Sequence, residues 1–168
     1  TQYINVNGNY SGYGYIGGGF KLKKLDLMVG LQANAGVYHV NNIVATLDPA
    51  TLMPVDHKNS NDNNSYGIGP WFNYDKTDKY DFSLRPEVTY NDNRSTISTL
   101  ATPYWTFSSD FSGSVQLPKK FEIGTSVDVM IRQRTEIFTT NNNVVKWNAY
   151  IGKKFLKKSQ LELKANVF

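Results

Sequence analysis

The chain has 168 residues, of which 40% are hydrophobic and 14% aromatic, and its formal net charge is +4 at pH 7. A chain of this length makes a single domain, and no linker-like segment divides it. It contains no cysteine, which excludes disulfides and thiolate metal sites. It also lacks any run of about 18 apolar residues, which excludes a membrane-spanning helix within this sequence.

Apolar and polar residues alternate along almost the whole chain, as they do in strands that have one apolar face. No stretch shows the 3.6-residue period of an amphipathic helix. The pattern begins with a strand-like segment at residues 1–7 and a glycine-rich segment, and it recurs at 25–37, 66–74, 80–90, 105–117, 121–131, 145–155 and 161–167. We therefore predict an all-β protein, an antiparallel up-and-down meander of about nine strands over residues 1–168, with the first and last strands incomplete.

The segment at 121–131 shows the alternation most clearly. Phe121, Val127 and Val129 lie on one predicted face, and Glu122 and Asp128 lie on the other. In a soluble sandwich such apolar faces pack against each other. In a membrane barrel they contact lipid, and the polar faces line the lumen. Alternation alone leaves both architectures open.

The connections between the predicted strands alternate in length and composition. Short, lysine-rich turns are predicted at residues 23–24, 75–79, 118–120 and 156–158, and longer polar loops at 42–64, 92–103 and 138–143. Outer-membrane barrels have short periplasmic turns and long extracellular loops. The chain is therefore predicted to form part of a transmembrane β-barrel in the outer membrane of a Gram-negative bacterium, in contact with outer-membrane lipid. The 42–64 loop, which contains Pro49 and Pro54, is expected to be extracellular and mobile.

Side-chain chemistry on the two predicted faces agrees with this interpretation. Most lysines flank the short turns rather than forming a continuous basic stripe, so nucleic-acid binding is not expected. Rings near strand ends are predicted to form aromatic girdles at the membrane interfaces, which contain Tyr74, Tyr80, Trp105, Phe121, Trp147 and Phe155. The charged residues predicted to face the lumen are Arg85, Glu87, Asp110, Asp128 and Arg132.

A tight turn at 118–120 would place Asp110 opposite Asp128 and Thr106 opposite Arg132. Two facing carboxylates are unfavourable unless a cation lies between them. Arg85 or Arg132 could supply that cation. These charges are interpreted either as an ion or substrate path or as a structural network inside a plugged barrel.

Other motifs give weaker signals. The glycines at residues 12–17 match the spacing of a dinucleotide-binding loop, but an alternating strand pattern continues after them instead of a helix. His39 and His57 lack the spacing of a metal site and are expected to be solvated loop residues. Pro70 and Pro86 fall inside predicted strands and are expected to cause a bulge or irregular pairing. No catalytic residue, metal ion or cofactor is predicted, and the protein is not expected to be an enzyme.

Several segments resemble the outer-membrane β-barrel region of TonB-dependent receptor-like proteins. These are residues 4–10, 80–84, 104–106 and 117–121, and above all the closing run at 147–158 with 161–168. The resemblance implies the C-terminal part of a large barrel, without its last strand, its first strands and its plug. It implies a non-catalytic wall segment of a substrate-uptake protein. The implied partners are the rest of the parent barrel, its plug and an energy-coupling protein that acts through the plug.

Two alternatives remain open at the level of sequence. The first is a small, self-contained β-barrel with a ligand-binding or structural role. The second is an outer-membrane enzyme on a small barrel, which would need a Ser, His and Asp set that cannot be assembled from this sequence.

Overall fold

The structure, a computed structural model, describes residues 7–76, 79–97, 103–135, 140, 143–155 and 161–168. These residues form one antiparallel sheet of eight strands, in which each strand pairs with its neighbours in the sequence. This confirms the all-β, up-and-down meander. The strands are β1 (Tyr10–Leu22), β2 (Leu27–Leu47), β3 (Pro54–Lys76), β4 (Tyr80–Ser95), β5 (Tyr104–Leu117), β6 (Phe121–Arg132), β7 (Val144–Phe155) and β8 (Leu161–Val167).

Eight strands are found in the described part of the chain, and the ninth predicted strand, at 1–7, lies outside it apart from Asn7. A single 3-10 turn at Pro118–Lys120 joins β5 to β6, as the tight turn predicted there requires. The turn at 156–158 and most of the loop at 138–143 lie outside the described residues. Among the described residues, no helix is long and apolar enough to cross a membrane.

The predicted 42–64 loop is wrong for most of its length. β2 and β3 pair without a break from Leu27 opposite Tyr74 to Leu47 opposite Pro54, so only residues 48–53 connect them. Polar side chains join the two strands in place of an apolar ladder: Ser60 donates a hydrogen bond to Asn41 and Asn61 donates one to Asn42. The high Asn content of this segment indicated a loop. In the paired strands, the Asn side chains instead form hydrogen bonds between β2 and β3. Similarly, β4 extends through Ser95 into the predicted 92–103 loop, of which residues 98–102 are not described.

The hairpin connection at 48–53 is held by Asp48. Its backbone N–H donates to the Met53 carbonyl, and its carboxylate accepts a 2.8 Å hydrogen bond from the Ala50 N–H. That hydrogen bond lowers the pKa of the Asp48 carboxyl below its usual range. The short connection is thus ordered by local hydrogen bonds.

Of the two outcomes expected at the strand prolines, a bulge or irregular pairing, the structure shows irregular pairing and no bulge. Three residues separate the pairs Ile68–Val88 and Phe72–Leu84 on each strand, so the register continues unchanged across Pro70 and Pro86. The backbones approach closely there, since a Cβ at Gly69 would lie 2.0 Å from the Pro86 carbonyl oxygen. The prolines therefore interrupt the hydrogen-bond ladder without shifting it.

Residues that pair across strands lie on the same face, so the register sorts every side chain onto one of two faces. One row of register partners is apolar across seven strands, and we call it the apolar row: Phe20, Val29, Phe72, Leu84, Phe111, Val127 and Trp147. All the predicted girdle residues lie on the face that contains this row. The alternation identified in single strands thus extends across the whole sheet as one apolar face.

The apolar face has no protein cover. No apolar side chain of the described residues is buried, and Trp147 and Ile68 are each 54% exposed. The accessible surface is 12408 Å², whereas a compact monomer of this length exposes about 8,400 Å². The described residues therefore form a single layer rather than a sandwich with an internal core.

Candidate functional site

The polar face of the sheet, opposite the apolar row, carries the candidate site. All five predicted lumen-facing residues, Arg85, Glu87, Asp110, Asp128 and Arg132, lie on it. The register confirms that Asp110 faces Asp128 and that Thr106 faces Arg132. The prediction that this face lines a lumen is not decided by the register.

The facing carboxylates belong to a longer row that we call the charged row. It consists of Arg85, Asp110, Asp128 and Lys146, one residue from each of β4 to β7. All four side chains are exposed. Among the described residues, no ion pair within 4.0 Å joins any of them. The row therefore has two positive and two negative side chains. None of these four side chains is paired with another by a close ion pair.

Arg132, one of the two cations predicted to offset the carboxylates, does not join Asp128. Its guanidinium lies 4.0 Å from the centre of the Tyr104 ring. Lys146 occupies the position beside Asp128 instead. Lys146 could not be assigned to this row from the sequence, because its register depends on the connection before β7, and the length of that connection does not determine the pairing.

Glu87 is the centre of a separate cluster of hydrogen bonds. Its carboxylate accepts hydrogen bonds from Gln32 at 3.2 Å, Asn34 at 3.1 Å and Thr89 at 3.2 Å. The donors come from β2 and from β4 itself, and the carboxylate lies over Gly67 of β3. This cluster ties three strands together on the polar face, which is a structural role.

A pair of aromatic residues on the polar face was not identified from the sequence. Trp71 lies across two neighbouring strands, where a Cβ at Gly30 would be 2.3 Å from its indole and one at Gly19 would be 2.4 Å away. Tyr15 extends over Gly17 and is 61% exposed. These two rings and three polar side chains line a cavity of about 200 Å³, formed by Tyr15, Gln32, Trp71, Asn73 and Arg85. Only the register of four strands, β1 to β4, shows that these residues meet.

A second unpredicted cluster surrounds Glu122 at the tight-turn end of the sheet. Among the described residues, Glu122 is the one charged residue that is buried. Its carboxylate accepts hydrogen bonds from Gln116 and Tyr150, and Lys154 Nζ lies 3.0 Å from Oε2. The Tyr150 ring occupies the space above Gly124. The cluster fixes the ends of β5, β6 and β7 to one another.

The prediction that His39 is a solvated loop residue is wrong. It lies in β2, where its Nδ1 is 2.6 Å from Oδ1 of Asp62 in β3 and its ring stacks on Tyr10 at 4.9 Å. Asp62 is in turn the register partner of Arg94. These residues share the apolar face but lie beyond its apolar part, towards the β2–β3 hairpin. They mark the polar boundary of that face.

Aromatic rows lie at both limits of the apolar part. Tyr66, Tyr90 and Trp105 are register partners, and the Tyr90 and Trp105 ring centres are 5.0 Å apart. At the opposite limit Tyr74 packs beside Phe82 at 6.4 Å. Tyr66 and Tyr74 lie on the same strand, and at about 3.4 Å per residue the distance between them is about 27 Å along it.

Residues 7–76, 79–97, 103–135, 140, 143–155 and 161–168 contain no cluster of three His, Asp or Glu side chains that could hold a metal ion. No protein-family model, curated protein or solved structure matches this chain. The family resemblance inferred from the sequence therefore stays a prediction.

Proposed function

We propose that this chain forms part of the wall of a transmembrane β-barrel in the outer membrane of a Gram-negative bacterium. In this proposal the barrel belongs to a TonB-dependent receptor-like uptake protein and the wall segment has no catalytic role. The single observation that carries the proposal is the continuous apolar face, which spans the sheet in register and has no cover among the described residues.

A face of this kind needs an apolar neighbour. Contiguous exposed apolar patches beyond a few hundred Å² mark a protein interface or a membrane contact. Lipid is favoured over a second protein layer because aromatic rows lie at both limits of the apolar part. About 27 Å of strand, tilted by about 40° as in known barrels, spans about 20 Å, which is comparable to the apolar band of outer-membrane barrels.

The edges of the sheet support a larger assembly. Among the described residues β1 and β8 each pair on one side only, so each leaves a row of backbone N–H and C=O groups with no strand partner in that part of the chain. In lipid each such group costs several kcal/mol if it is unsatisfied. Further strands of the parent barrel would pair with these edges, and the polar face would then enclose a lumen that holds the plug.

A second candidate function is favoured by one observation. Eight strands in unbroken order equal the smallest even number found in bacterial outer-membrane barrels. The chain would then close on itself as a small barrel with a ligand-binding or structural role. Pairing of β1 with β8 distinguishes this candidate from the larger barrel.

The proposal is tested by membrane location and by the facing of neighbouring residues. We expect the protein to fractionate with the outer membrane and to need detergent for extraction. Because the chain has no native cysteine, single variants can be labelled cleanly. Val129→Cys should react only with a lipid-soluble maleimide, and Asp128→Cys should react with a water-soluble one.

Two results would overturn the proposal. One is extraction by buffer alone, and the other is equal labelling of both positions by the water-soluble reagent. The first would mean that the protein does not sit in the membrane, and the second would mean that water rather than lipid contacts the apolar face.

A further inference from the structure

We propose that the cavity between Tyr15 and Trp71 on the polar face is a binding subsite for a neutral carbohydrate. The inference rests on the proposed function, since it requires this part of the polar face to stay open to water beside the plug. It adds a substrate class to that function, and it is argued from the side chains that line the cavity.

The two aromatic rings are placed where a sugar ring could stack on them. Gly30 and Gly19 leave room for the Trp71 indole to lie against the backbone of β2 and β1. Gly17 does the same for Tyr15, whose side chain stays 61% exposed. Each ring therefore lies close to the backbone of the sheet and also lines the cavity. Flat aromatic surfaces of this kind stack on the C–H faces of sugar rings.

The polar side chains around the two rings have hydrogen-bonding groups that can contact a ligand. Gln32 donates its amide to Glu87, which leaves its carbonyl oxygen directed elsewhere. Asn73 accepts a 2.8 Å hydrogen bond from Ser83, so its amide N–H groups can still donate. Arg85 has no ion pair or hydrogen bond among the described residues, and its guanidinium offers five N–H donors. Sugar hydroxyls both donate and accept, so they suit this mixed set.

The charges next to the cavity favour a neutral ligand over an ionic one. Arg85 is followed along the charged row by Asp110, Asp128 and Lys146, so two cations and two anions balance. An anionic ligand attracted by Arg85 would approach two carboxylates, and a cationic ligand would approach Arg85 itself. Neither charge sign has a net attraction, which favours a neutral, hydroxyl-rich ligand.

The volume of the cavity suits a single sugar ring. The Tyr15–Trp71 cavity of about 200 Å³ lies below the range of about 300–1,000 Å³ that is typical of drug-sized ligands. One sugar ring is a suitable occupant. The cavity shares Asn73 and Arg85 with a shallow groove that continues over Asp110 and Asp128. Further sugar units of an oligosaccharide would extend along that groove.

The test is isothermal titration of the full-length protein, extracted from membranes in a detergent that has no sugar headgroup. The probes are four neutral tetrasaccharides: maltotetraose, cellotetraose, xylotetraose and chitotetraose. We expect saturable binding of at least one. Trp71→Leu and Tyr15→Leu should each weaken it by about tenfold, the effect of losing one aromatic stacking contact. Trp147→Leu, on the apolar face, is the matched control and should leave the affinity unchanged.

A further variant tests placement without removing a ligand-contacting group. Gly30→Leu would push the Trp71 indole out of its position and should weaken binding as much as Trp71→Leu does. Saturation by none of the four sugars would overturn the inference, and so would binding that is insensitive to Trp71, Tyr15 and Gly30. A protein that needs detergent for extraction yet binds no sugar contradicts only this inference. Extraction by buffer alone contradicts the proposed function as well.

Discussion

Val129 and Asp128 are adjacent in β6 but lie on opposite faces of the sheet. If the apolar face contacts lipid, Val129→Arg near the midplane should destabilise the protein by about 2–4 kcal/mol, because a guanidinium is moved into hydrocarbon. Asp128→Asn should have a much smaller effect, since its side chain is exposed on the polar face. Denaturant titration of both variants in detergent or bilayers measures the difference. Equal destabilisation would contradict the assignment of the faces.

Gly124 offers a second test at the level of one residue. A Cβ there would lie within 2.3 Å of the Tyr150 ring, so Gly124→Ala must displace that ring from the Glu122 cluster. We expect a loss of about 1–3 kcal/mol, as for other overpacked sites. Gly18→Ala is the control, because no atom lies within 4 Å of its Cβ position, and its effect should stay within about 0.5 kcal/mol. A neutral Gly124→Ala would show that Tyr150 is not needed there.

At this scale the sequence predicted the faces of residues well but not their neighbours. Successive side chains of a strand point to opposite faces, so the odd or even position in the strand was enough to assign Arg85 and Trp105 to opposite faces of the sheet. The same alternation puts Trp71 on the polar face, but it does not show that the indole lies over Gly30 and Gly19 of the neighbouring strands. That arrangement depends on the register of β1, β2 and β3, which no local pattern contains.

Among the elements, the β2–β3 hairpin differs most from its sequence prediction. Among the described strands, residues 41–47 and 54–60 pair only with each other, so alternate amides there donate across the hairpin. Hydrogen exchange of those alternate amides should therefore be slower than in a mobile loop, in which every amide exchanges fast. Mass spectrometry of peptides from these segments measures it. Fast exchange throughout 42–64 would restore the long mobile loop that the sequence predicted.

The orientation of the hairpins is a further prediction. In the proposed topology the β2–β3 connection is extracellular and the β1–β2 turn is periplasmic. On intact cells a membrane-impermeant maleimide should label Thr51→Cys and leave Lys23→Cys unlabelled until the outer membrane is permeabilised. The reverse pattern would invert the topology while leaving the fold unchanged.

The error in the hairpin has a physical origin. Asn and Asp favour turns because their side chains can hydrogen-bond to nearby backbone, and the 59–64 run contains four Asn and one Asp. Here those side chains bond across the ladder instead, as Ser60 does with Asn41. The two strand prolines act as expected only in part, since they interrupt the pairing of β3 with β4 but cause no bulge. Residue composition predicts the local preference for a turn, and the pairing of β2 with β3 overrides that preference.

For the molecule as a whole, the sequence predicted a meander and could not predict whether it closes. Alternation and turn spacing determine the order and direction of strands, because short connections join antiparallel neighbours. Closure depends instead on whether β1 and β8 can pair over their full length, which is a contact between the most distant parts of the described chain. The sheet in the structure is open, with β1 and β8 at its two edges.

We predict that residues 1–168 alone do not form a closed monomeric barrel. β8 spans 7 residues and β1 spans 13, so pairing them would still leave part of the β1 edge without partners. Such groups are costly in a lipid or detergent environment, and open edges recruit other strands. After refolding in detergent, the chain should therefore oligomerise or aggregate, which analytical ultracentrifugation measures as protein mass. A stable monomer whose gel mobility changes on heating would contradict this prediction. It would favour the small eight-stranded barrel, because only closure satisfies both edges within one chain.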